Sequence, residues 1–235
     1  MSSSEEPVCS DNPDTLQVVE SALQRLWSVA NTLSKIRPQR TANYSVTIFG
    51  SARIQPDDAL YASVCQLARR LSEKGCHIVT GGGPGLMQAA NEGSVRGDPL
   101  DVARSIGIRV ALPFEKEANP YVEDAYTHET FFTRLHQFVR LSDAFVVVEG
   151  GIGTTLELFL VWQLLQVKHL SRDVPLILVG PMWKDLLAWA ERHLVSHAPP
   201  LASAEDIELP ICVDSVDEVM TLLTPRIEAH TTDSR

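Results

Sequence analysis

Leu16, Val19, Leu23, Leu26, Val29 and Leu33 recur at intervals of three and four, which predicts an amphipathic helix over residues 14–36. Arg37-Pro38-Gln39-Arg40 ends it. Residues 14–40 therefore read as an N-terminal helical segment ahead of the main pattern, a cap or a contact for a partner chain. Beyond it the pattern changes. Short apolar runs at 44–49, 76–80, 105–112, 144–148, 175–179 and 209–213 read as strands. Between and after them lie segments of helical period at 57–73, 86–95, 129–141, 155–167, 182–195 and 216–223. In the first of these, Leu60, Val64, Leu67 and Leu71 share one face.

Apolar strands alternating with helices predict an α/β fold, a Rossmann-like doubly wound parallel sheet flanked by helices on both faces. The pattern places it in a single domain over residues 41–224, with a polar, disordered tail at 1–13 and a loose tail at 225–235. No internal repeat is present. In such folds ligands bind at the carboxyl ends of the strands.

Two of those ends carry glycine loops. Thr80-Gly-Gly-Gly-Pro-Gly-Leu-Met87 follows the second strand, and Glu149-Gly-Gly-Ile-Gly-Thr154 follows the strand at 144–148. Each opens a helix. Glycine lets backbone amides approach an anion closely, and a helix N-terminus adds a favourable dipole. Gly82, Gly83, Gly85, Leu86 and Met87 on one loop, and Gly150, Gly151, Gly153 and Thr154 on the other, are thus candidate phosphate ligands that grip one phosphorylated ligand from two sides. The plainer reading is a pair of tight strand-to-helix turns. Neither loop has the Gly-Lys-Ser/Thr of a triphosphate loop or the Gly-x-Gly-x-x-Gly of a dinucleotide site.

Charged residues in apolar settings supply the candidate chemistry. Glu157 lies in a helix that continues Leu158-Phe-Leu-Val-Trp162, apolar almost all round, and a carboxylate there needs a partner or a task. Thr154 and Glu157 also have capping-box spacing. On the helix at 129–141, Phe131, Phe132, Leu135, Phe138, Val139 and Leu141 form an apolar arc, and Arg134 falls inside it. A guanidinium so placed wants a buried carboxylate or a ligand phosphate, unless it snorkels along the edge. Ser51, in the Gly50-Ser-Ala-Arg53 turn after the first strand, and Glu92, on the helix after the first loop, are further possible substrate contacts; a plain turn and a solvated helix face explain Ser51 and the Asn91-Glu92 pair as well.

Composition narrows the partners. Twenty basic against thirty acidic residues give a net charge of -10, which disfavours nucleic acid. The hydrophobic share of 44% is that of a globular protein. No apolar run is long enough for a membrane span, and the first residues lack a secretory signal's pattern. Cys9, Cys65, Cys76 and Cys212 are scattered, as expected of reduced cytoplasmic thiols, and the seven His form no metal cluster.

These stretches resemble the LONELY GUY family, the cytokinin-activating phosphoribohydrolases long mislabelled as lysine decarboxylases. The resemblance runs from about Thr47 to Leu194. It rests on Gly81-Gly-Gly-Pro-Gly-Leu-Met87 and Glu149-Gly-Gly-Ile-Gly-Thr-Thr-Leu-Glu157, with Phe49-Gly-Ser-Ala-Arg53, Leu112-Pro-Phe114 and Ser142-Asp-Ala-Phe145 in support. It implies that Arg134 and Glu157 are the catalytic pair. It further implies hydrolysis of the N-glycosidic bond of a purine nucleoside 5'-monophosphate, an adenine or cytokinin-type nucleotide such as AMP, to free base and ribose 5-phosphate. The scheme needs no metal or other cofactor, nothing marks a pyridoxal-phosphate lysine, and the expected assembly is a homodimer or larger homo-oligomer. Three positions depart from the family pattern. Glu149 replaces a Pro, Leu135 a Lys, and Gln88 a Gly or Glu. One positive charge is lost and one negative charge gained beside the loops, which favours an alternative: a non-catalytic nucleotide-binding or regulatory protein that retains the pocket.

Overall fold

The computed structural model describes residues 17–22, 24–25, 43–111 and 117–233. The chain divides into two compact units, Met1–Arg40 and Thr41–Arg235. In the first, residues 17–22 and 24–25 are helical and exposed. The expected tail at 1–13, the rest of the N-terminal helix and Leu112-Pro-Phe114 lie outside the described residues.

The second unit is built on one sheet. Its elements run β1 (Ser45–Phe49), α1 (Ala59–Ser72), β2 (His77–Thr80), α2 (Leu86–Gly97), β3 (Ser105–Val110), β4 (Asp124–His128), α3 (Phe131–Leu141), β5 (Ala144–Val147), α4 (Ile152–Gln166), β6 (Leu176–Val179), α5 (Pro181–Ala190), a π-helical turn (Glu191–Val195), α6 (Ala204–Ile207), β7 (Pro210–Val213) and α7 (Val216–Asp233). The strand order is β4-β3-β2-β1-β5-β6-β7, and every pairing is parallel. The doubly wound α/β expectation holds. Strand order reverses between β1 and β5, where Val46 stands beside Ile78 on one side and Ala144 on the other. A crevice opens at such a reversal.

Because side chains alternate along a strand, each strand feeds two cores. Val46, Ile48, Ile78, Val146 and Ile177 face α1, α2 and α7, packing with Leu67, Leu71, Leu86 and Leu223. Phe49, Val79, Ile108, Phe145 and Leu178 face α3, α4 and α5, packing with Phe138, Leu158, Val161 and Trp183. Asp58 caps α1 by accepting from the Leu60 amide at 2.8 Å, and Gly75, at φ +80°, ends the turn that follows.

The helix expected over 182–195 gives way to a π-helical turn after Ala190, the short α6 carries no periodic signal, and three further elements differ from the sequence expectation. The edge strand β4, Asp-Ala-Tyr-Thr-His, was not predicted, because it is polar and largely exposed and carries no apolar run. Residues 225–233, read as a loose tail, continue α7 as helix through Pro225, and Ile227 and His230 are buried there. His230 packs edge-on against Tyr44, with 5.5 Å between ring centroids. Helix α4 starts at Ile152, three residues earlier than its period suggests, because the glycines before Thr155 carry no hydrophobic signal.

Helices α1 and α2 meet backbone to backbone. Gly93 and Gly97, one turn apart, abut the carbonyls of Cys65 and Arg69, and a methyl group on either would overlap them. Gly93→Ala is expected to destabilise the protein by about 1–3 kcal/mol through overpacking. Gln66→Ala, on the exposed face of α1, is the control that leaves the urea midpoint nearly unchanged.

Candidate active site

Both glycine loops lie at strand carboxyl ends, one on each side of β1. The β1 loop ties them together. The Ser51 amide donates to the Glu149 carbonyl at 3.0 Å, and the Ser51 carbonyl accepts from the Leu86 amide at 2.8 Å. Ser51 thus sits between the loops through its backbone, while its hydroxyl accepts from the Arg53 amide at 3.1 Å.

The two loops differ in what their amides have left to offer. In the first, Gly82 N–H donates to the Thr80 hydroxyl at 2.9 Å and Leu86 N–H is taken by Ser51, which leaves Gly83 N–H without an acceptor among the described residues. Its glycines are also packed. A methyl group on Gly83 would lie 2.8 Å from the end of Met87, and Gly85, at φ +70°, lies against the backbone of Ser51 and Ala52. In the second loop Gly151 is the N-cap of α4, so the amides of Ile152, Gly153 and Thr154 fall in the first helical turn, where no intrahelical acceptor exists. The first intrahelical bond is Thr155 N–H to the Gly151 carbonyl, 2.9 Å. Methyl groups on Gly151 or Gly153 would meet nothing within 4 Å, whereas one on Gly150 would overlap the Thr154 side chain. The second loop therefore combines open space, unspent donors and the positive end of the α4 dipole.

Helix α4 delivers Glu157 one turn further in. Because the helix begins at Ile152, Thr154 and Glu157 lie inside it, and the capping-box alternative is overturned; no side chain caps α4. Instead Arg134 Nη1 donates to Glu157 Oε1 at 2.9 Å. Their side chains are only 12% and 10% exposed. Arg134 Nε donates to the Ile108 carbonyl at 2.9 Å, and its guanidinium stands 5.1 Å from the Phe138 ring centroid. Gly81 makes this possible, since a methyl group there would lie 2.5 Å from Arg134 Nη2. The inward orientation of Arg134 follows from its place beside Leu135 and Phe138, the buried residues of α3. Phe131 and Phe132, placed by periodicity in the same arc, are exposed at the start of the helix, Phe132 to 85%.

Burial pushes the Glu157 carboxyl up, and the charge and hydrogen bond of Arg134 pull it back; the balance leaves it raised to about 7. At neutral pH this carboxyl is poised between its two forms. His128, at the end of β4, is less basic than usual because of burial and the nearby Arg134 charge.

The remaining candidates have other surroundings. Glu92 is buried between α1 and α2, where Tyr61 Oη donates to it at 2.7 Å and Arg96 pairs with it. Asn91, which a solvated face would explain, is fully buried instead. Its Oδ1 accepts from Thr80 Oγ1 at 2.7 Å and its Nδ2 donates to Ser105 Oγ at 2.9 Å. The Glu149 side chain turns toward the end of β6, where a methyl group on Gly180 would lie 3.5 Å from its Oε1. Asn119, in no motif that the sequence offers, is buried and donates to the Gly83 carbonyl of the first loop at 3.0 Å. No group of three or more His, Cys, Asp or Glu among the described residues is arranged to hold a metal ion. No described helix is long and apolar enough to cross a membrane.

Residues 87–223, more than half of the chain, match the family described as "possible lysine decarboxylase". Over 141 residues the chain is 30% identical to a pyrimidine/purine nucleotide 5'-monophosphate nucleosidase of Escherichia coli K12, a match that covers 58% of this chain and 31% of that protein. The match thus spans about a third of the length of that relative. Among solved structures, a molybdenum cofactor binding protein from Rippkaea orientalis superposes with a TM-score of 0.56 at 18% identity, covering 79% of this chain and 98% of the other. The molybdenum cofactor carrier protein of Chlamydomonas reinhardtii gives 0.55 at 17% identity, covering 78% and 97%. At these identities the structural likeness bears on the fold alone.

Gly153→Ala tests the second loop directly. The methyl group enters open space in the first turn of α4, so folding stability is expected to hold or rise by up to about 1 kcal/mol. If this loop holds a nucleotide phosphate, affinity for AMP measured by calorimetry falls at least ~10-fold as the methyl crowds the anion, about 1.4 kcal/mol.

Proposed function

This chain belongs to the family described as possible lysine decarboxylase, and from that membership we propose that it hydrolyses the N-glycosidic bond of nucleoside 5'-monophosphates, with a purine as the base. The observation that carries the reading is the Arg134–Glu157 pair, buried one turn behind a helix N-terminus with unspent amides. The activity in the name of the Escherichia coli relative supports it. An AMP-like or cytokinin-type nucleotide suits the two loops, its 5'-phosphate between the Gly83 amide and Gly150–Thr154 and its sugar toward Glu157.

Breaking the bond between the base nitrogen and C1' builds positive charge on the ribose, as in other glycoside hydrolyses. The ionised Glu157 carboxylate opposes that charge and takes a proton from the attacking water. Water oxygen bonds to C1', the base leaves with the bond's electron pair and gains a proton, and ribose 5-phosphate remains. Arg134 is anchored on the Ile108 carbonyl, so it fixes the carboxylate before the sugar arrives and lowers its affinity for a proton.

Glu157→Gln preserves shape and an acceptor for Arg134 but removes the charge. Release of adenine from AMP is expected to fall at least ~10²-fold, a few kcal/mol of transition-state stabilisation, with little change in melting temperature. In the wild type kcat should rise with pH through about 7, as Glu157 ionises, and the variant should lack that rise. If the pair is only structural, the variant loses stability and keeps its rate. The second reading, a nucleotide binder without turnover, is favoured by Glu149 and Leu135, and predicts micromolar AMP binding by a wild type that releases no base.

The reading extends to a homodimer. Phe132, Leu156, Phe159 and Ile152, the last 91% exposed, lie on α3 and α4, the helices that carry the pair. An apolar surface of this kind suits a second copy of the chain. Light scattering at micromolar concentration should give at least twice the monomer mass, and Ile152→Lys with Leu156→Lys should return it to the monomer.

A further inference from the structure

Asn119 lies in the segment between β3 and β4, far in sequence from both glycine loops, yet it is buried against the first of them. Its backbone amide donates to the Gly82 carbonyl at 2.9 Å. Its Nδ2 spends both hydrogens, one on the Gly83 carbonyl at 3.0 Å and one on Asn91 Oδ1 at 2.9 Å. Its Oδ1 accepts from the Tyr121 amide at 3.1 Å. Asn91 is held in turn by Thr80 Oγ1 and Ser105 Oγ, and Thr80 Oγ1 also accepts from Gly82 N–H. The clasp is therefore a closed polar network with its members in β2, α2, β3 and the 119–121 turn.

Two consecutive carbonyls of a flexible glycine run are thus fixed by one residue. In a trans peptide the N–H points opposite to the C=O of the same unit. Holding the Gly82 carbonyl toward Asn119 therefore aims Gly83 N–H the other way. That amide has no acceptor among the described residues, and the next residue, Pro84, has no N–H to offer. Gly82 N–H is spent inside the network, on Thr80 Oγ1, so Gly83 N–H is the donor that the network aims and leaves open among the described residues. Glycine loses more conformational freedom on ordering than any other residue, so an unclasped Gly81-Gly82-Gly83 would sample many orientations of that donor.

We infer that Asn119 is a positioning residue, which pre-sets the Gly83 amide of the first loop for the 5'-phosphate. This rests on the site being a nucleotide cradle, as proposed above. Asn119 itself touches no reacting atom. Its removal should weaken binding and spare the chemistry, because Arg134 and Glu157 are held by α3, α4 and the Ile108 carbonyl.

The test compares wild type with Asn119→Ala and Asn119→Asp. The Asp variant keeps the shape and the acceptor for Tyr121 N–H but cannot donate to Gly83 or Asn91 when ionised, and it serves alone if the Ala variant does not fold. Amide hydrogen exchange should speed up at least ~10-fold in residues 81–87 and stay unchanged in residues 150–157. KM for AMP should rise ~10-fold or more while kcat stays within about threefold. Unchanged exchange in residues 81–87 overturns the clasp. Faster exchange with unchanged KM overturns the link to the ligand, and wild-type behaviour of Asn119→Asp overturns the role of the Nδ2 donors. A wild type that releases no base from any monophosphate refutes the hydrolase reading instead. Exchange and calorimetric AMP affinity then decide the inference without turnover.

Discussion

A sheet whose strands all run parallel must be covered on both faces, and its chain reaches each next strand only by a helical crossover. Here the chain steps outward from β1 through β2 and β3 to β4, then returns to the other side of β1 for β5, β6 and β7. Everything functional in the molecule depends on that return. It puts the loops after β2 and β5 on either side of β1, and it sends α2 to one face and α4 to the other. The crevice between them is a consequence of winding, and Ser51, bonded to both loops through its backbone, is the seam.

Within that crevice the energetics turn on one buried carboxyl. Burying Glu157 in α4 is unfavourable by itself, and Arg134 offsets that only if its guanidinium can enter from α3. Three features make the entry possible: a glycine at position 81, an anchoring carbonyl at Ile108, and a ring face at Phe138. The carboxyl is left titrating near neutrality, the range in which a proton acceptor works. The two glycine loops, alike in composition, divide the labour. One is packed and, apart from the Gly83 amide, internally bonded, and it shapes the wall around Arg134. The other is open, with a helix N-terminus behind it.

Much of this was legible in the residue pattern. The alternation of apolar runs and helical periods gave the layers, because parallel strands buried on both faces need continuous hydrophobic segments. Arg134 and Glu157 stood out because a charge inside an apolar arc needs compensation. Where the pattern misled, the cause was local. The polar edge strand β4 carries no hydrophobic signature. The glycine loop that opens α4 hid the helix's first turn, and with it the fact that Thr154 and Glu157 are interior to the helix. The last turns of α7 are stabilised by His230 against Tyr44, a contact across most of the chain that propensity near Pro225 does not reveal.

By itself, then, the sequence determined which segments are buried, which loops can approach an anion, and which charges require partners, since these follow from side-chain chemistry and short-range periodicity. Only the tertiary structure decided who the partners are. Arg134 meets Glu157 across 23 residues, and Asn119 reaches Gly83 across 36. Glu92 is drawn away to Tyr61 and Arg96, although Asn91 beside it is bonded to Thr80 and Asn119 at the first loop. Such pairings depend on which strand lies beside which and on where a missing Cβ lets a side chain through. Both are properties of the wound sheet and of no single stretch of chain.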